Sequence, residues 1–395
     1  MSWIDDRIED YRSRLHPDDR DRFDSRYEDA LDALDKEEIH DELEANYSQE
    51  DDHLELVMAI ASAFGHQPIA DGYDTGYRFA FTEPLEERNH EVVGEEGVRN
   101  GDVLLAKEEN ESAKICVVEC KAGSSAGRDW VQKLQDTEEI INTDGYRETL
   151  KEQLGVDRIV HEQYVLCGKV AQIVSMDYDR LDGDLDIPEN YAFWGYDLGD
   201  QAIMQVYGNV RDGKLAGAVN DTMDAGKVEN PIELTFGDHT LIQLKVLVER
   251  LITEKKRNDD SNPFEFTRDE FYDAFDNELQ VGFTGDIREE IVGEKVDSLL
   301  GAGEDIGLFT TDSDRLNTSR DYRILFQGKT IRAVKRAAED KYFKYNTEVK
   351  WKERAFKDVR SDFRPEQTRL SEQDWLIEED EEEHEEEGEG SRSVG

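Results

Sequence analysis

Positive charge is scarce in this chain. Lys and Arg total 48 against 96 Asp and Glu, a formal net charge of −48 over 395 residues. Taken alone, that deficit opposes nucleic-acid binding, because phosphates would be repelled. The acidity is spread over nearly every segment, however, and interleaves with good core patterns instead of forming one block. This distribution suggests a surface adapted to a salt-loaded cytoplasm, of the kind haloarchaea and their viruses carry. At 1 M salt the Debye length falls to about 3 Å and the repulsion is largely screened. The rival explanation is a DNA-mimicking inhibitor or an acidic chaperone-like protein.

Cysteine is rare as well, with three residues. Cys116 and Cys120 stand four apart on one strand candidate, roughly 13 Å, too far to bridge. Cys167 falls in another apolar run, and no C-x-x-C occurs, so zinc is not expected and the thiols read as reduced core residues. No apolar run is long enough to span a bilayer; the longest covers 56–64. The opening "MSWIDDRIED" has no apolar signal core, so the expectation is a soluble, cytoplasmic protein without membrane contact. There is no "GxxxxGK[ST]" loop for nucleotide hydrolysis, and none of the eight histidines forms an H-x-x-x-H pattern.

What is present divides the chain into five segments. Residues 1–48 read as a helical N-terminal arm: Ile4, Ile8, Tyr11 and Leu15, then Phe23, Tyr27, Leu31 and Leu34, recur at helical spacing. Residues 49–210 read as mixed α/β, in the order helix, three strands, helix, strand, helix, strand. Leu54, Val57, Met58, Ala61 and Phe64 mark the first helix; "GYRFAF", "GDVLLA", "AKICVVECK", "QYVLCG" and "YAFWGYDL" are the strands. Residues 211–237, rich in Gly and Asp, read as a linker. Residues 238–345 suggest three helices and a hairpin with a polar tip, the order of a winged helix. Glu289, Glu290 and Glu294 on its third helix suit DNA poorly, so nucleic-acid docking and protein contact both stay open. Residues 346–395 hold the end of a basic, aromatic stretch and an acidic tail expected to be disordered.

The basic stretch is 329–360, with eleven Lys and Arg against five Asp and Glu. Lys350, Trp351, Lys352 and Arg354 are its candidate substrate-binding residues, since cations meet phosphates and aromatic rings meet bases. The alternative is an amphipathic helix whose basic side pairs with the acidic body.

One strand ends strangely. The run 115–120 is apolar, yet Glu119 and Lys121 close it on one face, with Asp102 heading the preceding strand. Pairing those strands brings Asp102 toward Glu119, and two converging carboxylates repel unless a cation sits between them. Oxygen donors of this type suit Mg²⁺ (or Mn²⁺ in its place), with the Cys120 carbonyl as a further ligand. A lysine alongside can orient or deprotonate a bound water and offset charge on a phosphorane-like transition state.

The Asp…Glu-x-Lys pattern in this setting resembles the PD-(D/E)XK nuclease superfamily, which includes restriction endonucleases and Holliday-junction resolvases. The resemblance covers about 50–200 and implies a restriction-endonuclease-like α/β fold: a mixed sheet flanked by helices. Implied with it is a Mg²⁺-dependent DNA endonuclease of restriction or defence type, acting as a homodimer or with a defence-complex partner. Asp102, Glu119 and Lys121 take the catalytic positions, and Gly101 replaces the proline that often precedes the aspartate. Many members add a glutamate on the first helix, for which Glu55 is the candidate, with Asp52 nearby. Gln132 and Lys133, on the helix after the lysine, are candidates for substrate contact, and "AGSSAG" at 122–127 would admit a DNA backbone. Two alternatives remain: a catalytically idle nuclease-fold protein that binds DNA or assembles complexes, and an acidic regulator.

Overall fold

A computed structural model describes residues 2–82, 101–123, 127–226, 232–281, 285–312, 321–327 and 330–363. Part of the "AGSSAG" loop, the hairpin tip, Lys329 and the acidic tail lie outside these residues.

Three helices open the chain: α1 (Trp3–Ser13), α2 (Pro17–Ala33) and α3 (Lys36–Ala63). The "HPDDR" signal starts α2, where the His16 ring accepts the Asp18 N–H. Strands β1 (Arg78–Thr82), β2 (Val103–Glu109) and β3 (Ser112–Lys121) follow as an antiparallel meander. Glu109 pairs with Ser112, leaving a two-residue turn in which Asn110 adopts φ 59°. Asn is one of the few side chains that tolerates that left-handed geometry in a tight hairpin.

The chain then crosses through α4 (Arg128–Ile141) and α5 (Asp144–Leu154) to β4 (Arg158–Lys169), parallel to β3. Short helices α6 (Val170–Val174) and α7 (Tyr178–Leu185) lead to β5 (Tyr191–Asp197), parallel to β4. Strand β6 (Ala202–Gly208) returns antiparallel, α8 (Gly213–Asn220) follows, and β7 (Met223–Asp224) completes a mixed seven-stranded sheet ordered β1 to β7. The expected linker at 211–237 therefore carries structure. Asp212 caps α8 through the N–H groups of Lys214 and Leu215, while Leu215 and Val219 are buried. A short Gly-rich helix gives little sequence periodicity, and its cap was the readable sign.

Helices cover both sheet faces. Cys116, Val118 and Cys120 join the core beneath α3, with Val57, Ile60 and Phe64; Ile115 and Val117 join the core beneath α4, with Val131 and Leu134. The middle strands are apolar on both sides because both sides are covered.

Beyond the sheet lie α9 (Thr240–Arg257), β8 (Glu265–Phe266), α10 (Arg268–Glu278), α11 (Gly285–Asp305), β9 (Phe309–Thr310), β10 (Tyr322–Ile324) and α12 (Ile331–Arg360). The three short strands form a separate antiparallel sheet, ordered β8-β10-β9. Helices α9 to α11 share one core with it, built on Leu244, Val248, Phe271, Phe275, Val292 and Val296.

The chain divides into two compact units, and one of the two divisions coincides with the segment bound expected at 345/346 while the other does not fall on a segment bound. One unit spans Asp41–Tyr345; the other joins Met1–His40 to the region from Asn346 onward. Both divisions fall inside long helices, α3 and α12, so the break expected at 48/49 has no counterpart in the backbone. In the smaller unit Tyr11, Phe23, Phe356 and Phe363 pack ring on ring, at centroid distances of 5.1 to 6.3 Å.

Candidate active site

The β2–β3 register brings the three expected residues together. Val103 pairs with Val118, so Asp102 stands one step on, opposite Glu119, and its N–H donates to the Val118 carbonyl at 2.9 Å. Asp102 Oδ2 accepts the Cys120 N–H at 2.5 Å. Glu119 forms an ion pair with Lys121 through Oε1, while Oε2 is buried without a hydrogen-bond partner among the described residues. Glu119 is 5 % exposed. Gly101 fits tightly here: a Cβ at that position would meet Val117 Cγ1 at 2.3 Å. That clash gives a steric reason for glycine at this position.

The charges are strongly perturbed. Burial, reinforced by repulsion from Asp102, pushes Glu119 up to about 7 against the pull of Lys121 and His53. Burial also works against the Asp102 carboxylate, but His53, Lys121 and the Cys120 N–H together hold it below the ordinary range. Lys121 stays above its usual value because Glu119 and Asp102 outweigh its desolvation.

His53 was not among the expected residues. Its Nε2 lies 3.2 Å from Asp102 Oδ1. Burial would lower its pKa, yet Asp102 outweighs this and lifts it to about 9, which makes it a cation at neutral pH. The signal was present: His53 falls on the stripe of Val57, Ile60 and Phe64 at helical spacing, an apolar face where a lone histidine needs a partner.

Glu55, the glutamate expected on the first helix of the α/β segment, lies on α3 close to Asp52 and Lys169. It is half-buried, and burial followed by repulsion from Asp52 raises its pKa, with Lys169 opposing. Asp52 pairs with Lys169 at 2.5 Å, at the end of β4. The α3 side chain that meets Asp102 is therefore His53, and Asp52 and Glu55 gather around Lys169. Gln132 and Lys133 are exposed on α4, and Gln132 donates to Asp136 at 3.1 Å.

The basic stretch is differently disposed. Trp351 donates its indole N–H to the Leu31 carbonyl at 3.1 Å, and Lys36 sits 3.8 Å above its ring. Lys352 pairs with Asp5 at 2.7 Å and Glu348 at 3.4 Å. Lys350 and Arg354 are half-buried, and Phe356 is core. At 350–356 the helix thus pairs and packs within its own unit, the arrangement of the amphipathic alternative, and Trp351 is not presented for stacking on a base.

The donors fit Mg²⁺ in chemistry. Two carboxylates converge, one with an unpartnered buried oxygen. The Cys120 carbonyl faces the same strand edge as its N–H, toward Asp102. Among the described residues no three His, Cys, Asp or Glu side chains form a metal-holding group by themselves. The carbonyl and waters would have to complete the set, as Mg²⁺ sites usually allow. Among the described residues no helix is long and apolar enough to cross a membrane. No family model, curated protein or solved structure matches the chain.

Proposed function

We propose that the protein is a metal-dependent endonuclease hydrolysing DNA phosphodiester bonds, of restriction or defence type and related in mechanism to PD-(D/E)XK enzymes. One observation carries the reading: a buried strand ends in the Glu119–Lys121 ion pair beside Asp102, with a Glu119 oxygen left without a partner among the described residues. Asp102, Glu119 and the Cys120 carbonyl would hold Mg²⁺, which when bound neutralises charge on the phosphate and lowers the pKa of water. Lys121, poised beside both carboxylates, orients the attacking water. Its ammonium then stabilises charge on the phosphoryl oxygens as the bond to the leaving oxygen breaks. With Glu119 committed to the metal, the proton of the attacking water passes to solvent. The three helices and small sheet at 240–324 support a winged-helix-like accessory domain.

A second reading has its own support. Both Asp102 oxygens are already engaged, by His53 and the Cys120 N–H, as suits a nuclease fold retained for binding or assembly without cleavage. A cleavage assay in high KCl separates the two, on duplex, branched and single-stranded DNA with and without Mg²⁺. Cleavage that requires Mg²⁺ and falls at least about 100-fold in Lys121→Ala, with DNA binding retained, is expected of a transition-state role. Wild-type rates in Lys121→Ala would remove the chemistry from this site.

A further inference from the structure

The half of the basic stretch nearest the start of α12 differs from the half at 350–356. A cavity of about 770 Å³ lies there, lined by Leu325, Phe326, Arg332, Arg336 and Lys341, with Ala333 and Ala337 between the cations. Ala at those two positions keeps the groove open, and the α12 face carrying Val334 and Ala338 is the buried one. Lys335 and its neighbour Glu339, on another face, reach Glu249 and Lys245. Arg332 is exposed and has no ion-pair partner among the described residues, while Arg336 meets only Asp340, at 4.0 Å with both side chains more than 70 % exposed. Such a pair contributes little. Lys341 donates to the Gly307 carbonyl at 2.5 Å, which fixes its ammonium at the groove wall. With Asp340 included the lining carries a net charge of +2, in a chain of −48.

We infer that this groove binds the phosphate backbone of nucleic acid through Arg332 and Arg336, with Lys341 contributing charge from the wall. Charge complementarity selects the occupant: two arginines one helical turn apart, about 6 Å along the axis, present planar forks suited to phosphate oxygens. The helix end itself is capped by Thr330, so the side chains are what the groove offers. Its affinity is expected to be independent of base sequence. The choice of occupant rests on the nucleic-acid reading of the active site, but its test needs no catalysis.

Binding of labelled duplex and single-stranded oligonucleotides would be followed by anisotropy in EDTA across a KCl series. The whole chain would be compared with Arg332→Glu/Arg336→Glu and with Lys350→Glu/Lys352→Glu. The first variant should bind at least about 10-fold more weakly, with the slope of log affinity against log salt reduced by roughly two. Arg332→Lys/Arg336→Lys should keep most of the affinity. Unchanged binding in a folded Arg332→Glu/Arg336→Glu protein would overturn the inference. So would a wild type that binds no oligonucleotide, or one that binds only acidic peptide. Intact binding with no cleavage under any condition would instead sink the nuclease reading and leave the groove standing.

Discussion

His53 Nε2 stands 3.2 Å from one oxygen of Asp102, and the other oxygen of the same carboxylate accepts the Cys120 N–H. A helix and two strands are thereby tied through a single side chain. Removing one member of this part-buried pair leaves the other without its partner, a loss of about 1–3 kcal/mol. His53→Ala should therefore destabilise the metal-free protein. If Asp102 is a Mg²⁺ ligand, added Mg²⁺ should raise the melting temperature of His53→Ala more than that of wild type. Equal responses in the two proteins would count against Asp102 as a ligand.

The raised pKa of Glu119 has a definite sign. Its native carboxyl keeps a proton to about pH 7, whereas the unfolded chain releases it near 4.5. Between those values the native state holds more protons, so stability falls as pH rises, by a few kcal/mol at most. His53 acts in the same direction at higher pH: its stabilisation is present below 6.5 and lost as pH passes about 9. Urea melts in EDTA from pH 4.5 to 9.5 should show both declines. Glu119→Gln should remove the lower one, and an unaltered profile in that variant would refute the assignment.

Gly101 gives a test of sequence resemblance against local packing. Restoring the proline would place a Cβ against Val117 Cγ1. Gly101→Pro should lose about 1–3 kcal/mol by overpacking, and Val117→Ala should recover part of that loss in a double-mutant cycle. Strictly additive effects would place the cause elsewhere.

Trp351 and Lys352 are expected to matter for stability alone. Trp351→Phe removes the hydrogen bond to Leu31 and weakens the contact with Lys36, a loss of about 1–2 kcal/mol. Its DNA affinity should equal that of wild type. A fall in affinity without a fall in melting temperature would return this residue to the binding surface.

Salt provides the broadest check. With a net charge of −48, self-repulsion should loosen the protein in dilute buffer and be relieved in molar KCl. The melting temperature should climb through a KCl series. A flat response, or a maximum in dilute buffer, would contradict the halophilic reading of the surface.

The sequence made the sheet legible where pattern and burial agree. Alternation along 115–120 puts Cys116, Val118 and Cys120 on one face and Ile115 and Val117 on the other, and the two cores divide them in the same way. The meeting of Asp102 with Glu119 and Lys121 followed from pairing two adjacent strands across a short turn. His53 lies on the apolar stripe of α3, which marks it as needing a partner, but that partner, Asp102, is 49 residues away and cannot be named from the helix alone. The role of the basic stretch was hidden by a longer separation: Asp5, Leu31 and Lys36, which engage Lys352 and Trp351, lie more than 300 residues earlier. Composition can reveal charge and aromatic content, but not which distant segment takes them up.

That distance has a consequence for how the chain is made. The Tyr11 hydroxyl shares its one proton between the carbonyls of Arg360 and Phe363, at 2.8 and 2.5 Å, so α1 and α2 cannot bury their apolar stripe until α12 has been synthesised. At about 5–20 residues per second, the ribosome leaves Ile4, Tyr11 and Phe23 waiting for roughly 20–70 seconds. A chain interrupted before Phe356 would leave Tyr11 and Phe23 without a ring they pack against.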